Sequence, residues 1–133
     1  MPRTTHAASR ILIVDDEPSL LKMLAVYLRR LGYVVIAAGT TESAWATVEA
    51  APHSFAVALL DGTMTGIPMV ELAARMLAAD PRLRVIAASG YPVDIDVLHA
   101  AAPGRVMFLQ KPFSAEMLGN AVRRMIATQE ADV

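Results

Sequence analysis

The chain lacks cysteine entirely, which excludes disulfide bonds, thiolate zinc sites and cysteine nucleophiles. Aromatic residues make up only 5% of the sequence against 55% hydrophobic residues in total, so an aliphatic, alanine-rich core is predicted. The three histidines are scattered, and each is better explained as a surface or hydrogen-bonded residue than as a metal ligand; they are His6, His53 and His99. Metal sites based on thiol or histidine ligands are therefore not expected.

Neither an excess of one charge nor a long apolar run is present. Twelve basic and thirteen acidic residues give a formal net charge of −1, which offers no electrostatic footprint for nucleic acid or an anionic membrane. No apolar run approaches the roughly 20 residues that a membrane helix needs, and residues 1–10 lack the apolar segment of a signal peptide. We therefore expect a cytoplasmic protein that binds neither nucleic acid nor a membrane.

The length of 133 residues fits a single domain. Residues 1–10 are interpreted as a flexible leader, residues 11–128 as the domain, and residues 129–133 as a short tail. No effector domain fits in residues 129–133, so the output is expected to be a contact with another protein.

Short continuous apolar runs alternate with helical patterns along the whole domain. Strands are predicted at residues 11–14, 33–38, 55–60, 84–88 and 105–110. Helices are predicted at residues 18–31, 41–51, 68–79, 94–101 and 114–128. Because parallel strands need crossover helices, this alternation indicates an α/β fold, a five-stranded parallel sheet with helices on both faces.

Polar residues come directly after, or at the end of, four of the predicted strands: Asp15 and Asp16, Asp61, Ser89 and Lys111. Ligands of parallel sheets bind at the carboxyl ends of the strands, so these side chains are expected to share one site. An ionised carboxylate at the mouth of an apolar core must be solvated, paired or bound to a cation. One Mg²⁺ and one lysine would neutralise three carboxylates, and oxygen ligands suit Mg²⁺.

Each of these residues also has an ordinary structural explanation. Asp15 and Asp16 could cap the following helix, Asp61 could be a loop residue, Ser89 a turn residue, and Lys111 a solvated strand end. The coincidence of all of them at adjacent strand ends favours a functional site.

Four motifs, in this order and spacing, resemble the receiver domain of two-component response regulators, of the chemotaxis-regulator kind. They are Ile-Val-Asp-Asp-Glu-Pro at 13–18, Leu-Leu-Asp at 59–61 with Met64 and Gly66, Ser-Gly-Tyr at 89–91, and Lys-Pro-Phe at 111–113. The resemblance implies a flavodoxin-like fold that is phosphorylated by a histidine kinase or a histidine phosphotransfer protein. It also implies a surface that switches on phosphorylation and binds a downstream protein effector.

The resemblance implies a role for each matching acidic residue. Asp61 would be the phosphoacceptor, and Asp15 and Asp16 would hold Mg²⁺ together with Asp61. The backbone carbonyl of Thr63 would complete the protein's share of the metal ligands.

The resemblance likewise implies a catalytic role for Lys111 and a cis peptide bond between Lys111 and Pro112. Ser89 and Phe108 match the switch hydroxyl and the switch aromatic residue. Phe108 lacks a phenolic hydroxyl, so switching would act by burial of its ring. The chain would catalyse its own phosphotransfer and slow dephosphorylation without being an enzyme for a separate substrate.

The loop after Asp61 departs from the family pattern. Thr65 stands where the family usually has proline, Met69 stands where it has glycine, and Gly62 adds to the difference. We therefore predict that this loop has a different shape or a greater mobility.

Other functions fit the same residues less well. The motifs at 89–92 and 110–113 also look like receivers excised from hybrid histidine kinases, whereas the starting methionine favours a whole gene product. An aspartyl-nucleophile phosphatase would need a second aspartate two positions after Asp61, where Thr63 stands instead. The residues before Ser89 do not form the nucleophile elbow of a serine hydrolase. A binding-only pseudo-receiver is disfavoured because every acid and the lysine are present.

Overall fold

The computed structural model describes residues 9–131, and the side chains of residues 9–128. The strands are β1 Arg10–Val14, β2 Val34–Ala38, β3 Val57–Asp61, β4 Arg84–Ser89 and β5 Val106–Gln110. The helices are α1 Pro18–Arg30, α2 Thr41–Ala50, α3 Met69–Ala79, α4 Asp96–Ala101 and α5 Ala115–Ala131. The ten elements alternate as the sequence pattern predicts.

All strand pairs are parallel, and the order across the sheet is β2-β1-β3-β4-β5. The central strand β3 lies between β1 and β4, so Ile13 pairs with Leu59 and Asp61 pairs with Ala88. The predicted fold class, a five-stranded parallel sheet with helices on both faces, is confirmed.

Alternation along each strand divides the core into two layers. Leu12 and Val14 of β1 face a layer that includes Ala44 of α2 and Leu72 of α3. Ile11, Ile13 and their neighbours face a second layer with residues of α1 and α5, among them Leu24, Leu28, Leu118 and Val122. Because both faces of the sheet are covered, its strands read as continuous apolar runs. Polar side chains are thereby confined to the two edges formed by the strand ends.

The helix ends follow local sequence rules. Pro18 occupies the first turn of α1, where its missing N–H costs nothing. Gly32 follows α1 with φ of 101°, a left-handed conformation that glycine adopts without strain. The Ser114 hydroxyl accepts a hydrogen bond from Met117 N–H at 3.1 Å and caps α5, as predicted.

Several boundaries differ from the sequence prediction by one to three residues. β3 begins at Val57 rather than residue 55. Phe55 instead lies beneath the Arg10 guanidinium, whose Cζ is 5.1 Å from the centre of the Phe55 ring. α4 begins at Asp96 rather than residue 94, because the Asp94 carboxylate accepts the Asp96 N–H and makes a turn there.

The ends of the predicted domain also differ slightly. Arg10, the last residue of the predicted leader, opens β1, and α5 extends past residue 128 to Ala131. Residues 1–8 and 132–133 of the predicted leader and tail lie outside the described residues. Within residues 9–131, none of the helices combines the length and the apolar character needed to cross a membrane.

Candidate functional site

The site lies at the carboxyl edge of the sheet, where β1 and β3 are neighbours. Asp15 follows β1, and its N–H donates to the Ala38 carbonyl at 3.1 Å, which extends the pairing with β2 by one residue. Asp61 is the last residue of β3 and pairs with Ala88 of β4. The sheet therefore fixes the backbones of both aspartates, and the neighbouring strands bring their side chains together.

Carboxylate oxygens of Asp15, Asp16 and Asp61 all lie within 4.8 Å of one another. Asp15 and Asp61 are buried, and Asp16 is exposed. Asp15 does not cap α1: that helix has Glu17 at its N-cap and no side-chain cap, and Asp15 Oδ1 accepts the Glu17 N–H at 2.9 Å. Capping of α1 thus does not explain the acidic pair.

Lys111 is the cation of the site. Its Nζ lies 3.0 Å from Asp61 Oδ1 and 3.7 Å from Asp15 Oδ2. The Lys111 N–H donates to the Ser89 carbonyl at 2.8 Å, which continues the pairing of β4 with β5 by one residue. The Lys111–Pro112 peptide bond is cis, as the family resemblance implied. One ammonium group therefore serves two buried carboxylates.

The pKa of Asp15 reflects the electrostatics of the cluster. Burial raises the pKa of its carboxyl group from the ordinary value of 3.8, and the charges of Asp61 and Asp16 raise this pKa further. The Glu17 N–H and the Lys111 ammonium oppose this pKa rise without cancelling it. The charged form of Asp15 is therefore disfavoured in the protein alone.

Three carboxylates and one lysine carry an excess of two negative charges within a few ångströms. A divalent cation with oxygen ligands would compensate this excess, and it would also stabilise the ionised form of Asp15. The donor set is thus of the kind that Mg²⁺ uses, and Asp15, Asp16 and Asp61 could hold it.

The backbone of Thr63 is held beside Asp61. Asp61 Oδ1 accepts hydrogen bonds from the Thr63 N–H at 3.1 Å and from the Thr63 hydroxyl at 3.0 Å. Thr63 therefore lies at the cluster, where the sequence places a metal-binding carbonyl. That role of its carbonyl stays a prediction.

Ser89 ends β4 and is buried at the same edge. Its Oγ accepts the Tyr91 N–H at 3.1 Å, so the hydroxyl proton is available to a further acceptor. Phe108 is half-buried in β5 and pairs with Ala87, two residues before Ser89 along β4. The structure thus brings Ser89 to the site and puts Phe108 one strand away; their switching roles stay predictions.

Two contacts of the loop after Asp61 were not predicted, although the sequence marks Gly62 and Met69 as departures from the family pattern. A Cβ atom on Gly62 would lie 3.1 Å from Ser89 Cβ and 3.3 Å from Met69 Sδ, so Met69 fills space that a side chain at position 62 would need. Thr41, predicted only as a helix start, is buried and its hydroxyl accepts the Ile67 N–H at 2.9 Å. Neither contact has a local sequence signal. Thr41 and Ile67 are 26 residues apart, and Gly62 lies against Ser89 of another strand as well as against Met69.

This fold and this site define a class of protein: a doubly wound α/β domain with an acidic cluster and a lysine at the carboxyl edge of its sheet. The family model of the response regulator receiver domain matches residues 11–123. The chain therefore belongs to the receiver domain family of response regulators.

Known proteins agree with this assignment. The DNA-binding response regulator MtrA of Mycolicibacterium smegmatis is 30% identical over 122 residues, which cover 91% of this chain and 52% of MtrA. The response regulator receiver protein CpdR of Brucella abortus is 28% identical over 117 residues, which cover 88% of this chain and 96% of CpdR. This chain thus spans about half of MtrA and nearly all of CpdR.

A solved structure shows the same fold. The response regulator receiver domain protein (CheY-like) from Methanospirillum hungatei superimposes with a TM-score of 0.83 at 26% identity. The superposition covers 95% of this chain and 99% of that one. The chain therefore has the fold of a CheY-like receiver.

Proposed function

We propose that the chain is a phosphorylation-controlled signalling module in which Asp61 accepts a phosphoryl group. The observation that carries this proposal is the convergence of Asp15, Asp16 and Lys111 on the buried Asp61 at the end of the central strand. Membership of the receiver family supports it, because response regulators act in two-component signalling. The module would act on itself, without turning over a separate substrate.

The residues of the site suit phosphotransfer to a carboxylate. An Asp61 oxygen attacks phosphorus while the bond from phosphorus to the donor's nitrogen breaks, and the electron pair leaves with the donor's imidazole. Lys111, 3.0 Å from Asp61, neutralises charge on the transferred group, and Ser89 donates its hydroxyl proton to a phosphoryl oxygen. Hydrolysis of the resulting acyl phosphate returns the free carboxylate and resets the module.

Mg²⁺ fits the donor set and, when bound, supplies the positive charge that lets carboxylates and phosphoryl oxygens share one site. Asp15, Asp16 and Asp61 would hold the ion, with the Thr63 carbonyl as a fourth protein ligand. The raised pKa of Asp15 supports this assignment, since a bound cation would favour the ionised carboxylate against burial and against the charges of Asp61 and Asp16.

The expected partners are a histidine kinase or a histidine phosphotransfer protein as donor, and a protein effector downstream. The charge of −1 argues against direct binding of nucleic acid. MtrA, however, is named as a DNA-binding regulator, and DctD of Rhizobium meliloti is named as a transcriptional regulatory protein. The absence of a nucleic-acid partner and the cytoplasmic location therefore stay predictions.

Phosphorylation with a small donor tests the assignment of Asp61. With phosphoramidate and Mg²⁺, we expect one added phosphate by intact mass in the parent chain and none in Asp61→Asn. Asp80→Asn is a matched control, because Asp80 is also buried but lies at the opposite edge of the sheet, and asparagine keeps the Oδ1 that accepts the Arg82 N–H. Phosphorylation of Asp61→Asn to the parent's level would show that the assignment is wrong.

The switch is proposed to run from Ser89 through Phe108 to the surface formed by α4, β5 and α5. A ligand shifts a two-state equilibrium only by its differential affinity, so the phosphoryl group must contact Ser89 more in one state than in the other. In Ser89→Ala we expect phosphorylation to persist while most of the induced change is lost. Amide NMR shifts of residues 89–120 with beryllofluoride, a phosphoryl mimic, report it; equal shift patterns in parent and mutant would exclude Ser89 as the coupling element.

A further inference from the structure

Thr41 joins the start of α2 to the loop that follows the predicted phosphoacceptor. Its side chain is buried, and its Oγ1 accepts the Ile67 N–H at 2.9 Å. The hydroxyl also lies 3.4 Å from the Thr65 carbonyl and 3.1 Å from Glu42 Oε1, either of which can accept its proton. A buried hydroxyl thus holds the loop backbone from an element 26 residues earlier in the chain.

Gly66 makes this contact possible. Its φ is 96°, and a Cβ atom there would clash with Thr41 Oγ1 and lie 2.6 Å from Glu42 Oε2. The backbone of the loop therefore rests directly against the first residues of α2, with no room for a side chain between them. Glycine at 66 and threonine at 41 are complementary in shape and in hydrogen bonding.

The same loop is attached to the site at its other end. The Gly62 N–H donates to the Ala88 carbonyl at 2.7 Å, and the Thr63 N–H and hydroxyl donate to Asp61 Oδ1. Residues 63–67 thus lie between one anchor at Asp61 and a second anchor at Thr41. Loss of the second anchor would remove the hydrogen bond that ties the loop to α2 and would leave only the packing of Met64 and Ile67 against the core on that side.

We propose that Thr41 is a positioning residue that holds the loop 62–68 so that the Thr63 carbonyl stays directed at the Mg²⁺ site. The inference rests on the proposed function, since it assigns a determinant of metal affinity to the same site. Residues behind the metal ligands commonly matter in this way, because they fix the orientation of the groups that bind the ion.

The hydroxyl can be removed while the shape of the side chain is kept. Thr41→Val should raise the dissociation constant for Mg²⁺ about tenfold, the lower end of the range for groups behind metal ligands. At limiting Mg²⁺ its phosphorylation by phosphoramidate should slow by about the same factor, and at saturating Mg²⁺ it should return to the parent rate. Thr41→Ser keeps the hydroxyl and should behave as the parent in both measurements. Hydrogen exchange at the Ile67 amide should be faster in Thr41→Val and unchanged in Thr41→Ser.

Thr40 provides a matched control in the adjacent position. It is exposed, and its Oγ1 caps α2 by accepting the Ser43 N–H at 3.0 Å. Thr40→Ala should lower the urea midpoint of unfolding and leave Mg²⁺ affinity unchanged, which separates damage to α2 from displacement of the loop. If Thr41→Val does not fold, Thr41→Ala removes the same hydroxyl with less bulk and is measured in its place.

Calorimetric titration with Mg²⁺ distinguishes the two ways in which the inference can fail. A parent chain that binds no Mg²⁺ overturns both the proposed function and this inference. A parent that binds Mg²⁺ and a Thr41→Val variant that binds it equally well overturn the inference alone.

Discussion

Buried charged residues lie at both ends of the parallel strands, at the carboxyl edge described above and at the amino edge formed by the strand starts. The two edges differ in how those charges are compensated. At the amino edge, the Arg105 guanidinium donates to the backbone carbonyls of Leu77, Asp80 and Leu83. The Asp80 carboxylate accepts the Arg82 N–H at 2.9 Å and lies 3.3 Å from His53 Nδ1. The Arg105 guanidinium and the Asp80 carboxylate are thus hydrogen-bonded to nearby backbone, and they tie the loops before β4 and β5 to the sheet.

At the carboxyl edge, Lys111 lies 3.0 Å from Asp61 and 3.7 Å from Asp15, and with Asp16 the cluster retains an excess of negative charge. Neighbouring backbone cannot remove this excess, because an N–H group satisfies an acceptor without cancelling its charge. The hydrogen bonds of Arg105 and Asp80 hold loops in place. The uncompensated charge of the acidic cluster instead makes that cluster a candidate site for a cationic ligand.

Apart from loss of the acceptor Asp61 itself, the largest effect on chemistry should come from removing the lysine of the carboxyl edge. Lys111→Met should slow phosphorylation by phosphoramidate by about 10²–10³-fold, because one preorganised charge no longer meets the transferred group. The chain has only two lysines, so Lys22→Met, on the exposed side of α1, is the natural control and should keep the parent rate. Equal rates for parent and Lys111→Met in a stopped time course would remove Lys111 from the mechanism.

Breaking the amino edge should affect stability and leave chemistry intact. Arg105→Met takes the donor from three backbone carbonyls and should lower the free energy of unfolding by about 2–4 kcal/mol. Urea unfolding followed by Trp45 fluorescence measures this loss, with exposed Arg124→Met as the control. Phosphorylation of the folded protein should remain at the parent rate. A large change in that rate would contradict the division of roles between the two edges.

The smallest effect should appear when one carboxylate of the acidic cluster is neutralised. Without Mg²⁺, Asp15→Asn should be slightly more stable than the parent at neutral pH, since burial and the neighbouring carboxylates disfavour the charged form of Asp15 in the folded state. Asparagine keeps the Oδ1 that accepts the Glu17 N–H. With Mg²⁺ the order should reverse, because the parent then gains more from the ion.

The pH dependence sharpens this prediction. The pKa of Asp15 is raised in the folded protein, whereas in the unfolded chain it keeps its ordinary value of 3.8. As pH rises, the unfolded chain therefore loses the Asp15 proton at a lower pH than the folded protein does. Stability of the parent should therefore fall relative to Asp15→Asn as pH rises from about 4, and the difference should level off once the folded carboxyl is also ionised. Thermal unfolding in the presence of a chelator measures the difference, and a constant gap between the two proteins across this pH range would contradict it.

The fold could be predicted from the sequence because the patterns that indicate its strands and helix ends are local. Each strand is a short apolar run, and features such as Pro18, Gly32 and Ser114 begin or end helices through contacts within one turn. The start of β3 shifted because a residue from elsewhere intervened: Phe55 packs beneath Arg10 instead of extending the strand. Periodicity reports which way a side chain faces, and it does not report what that side chain meets.

The sequence by itself determined the parallel sheet and the types of residue at its carboxyl edge, because strand ends and their next residues are read directly along the chain. Only the tertiary structure decided which of those residues meet and how closely: Lys111 lies nearer to Asp61 than to Asp15, and both are distant from it along the chain. It also decided that Thr41, rather than Thr40, reaches the loop at Ile67. Such contacts depend on how α2, β3 and β5 pack across the sheet, and packing between distant segments leaves no periodic trace in the sequence.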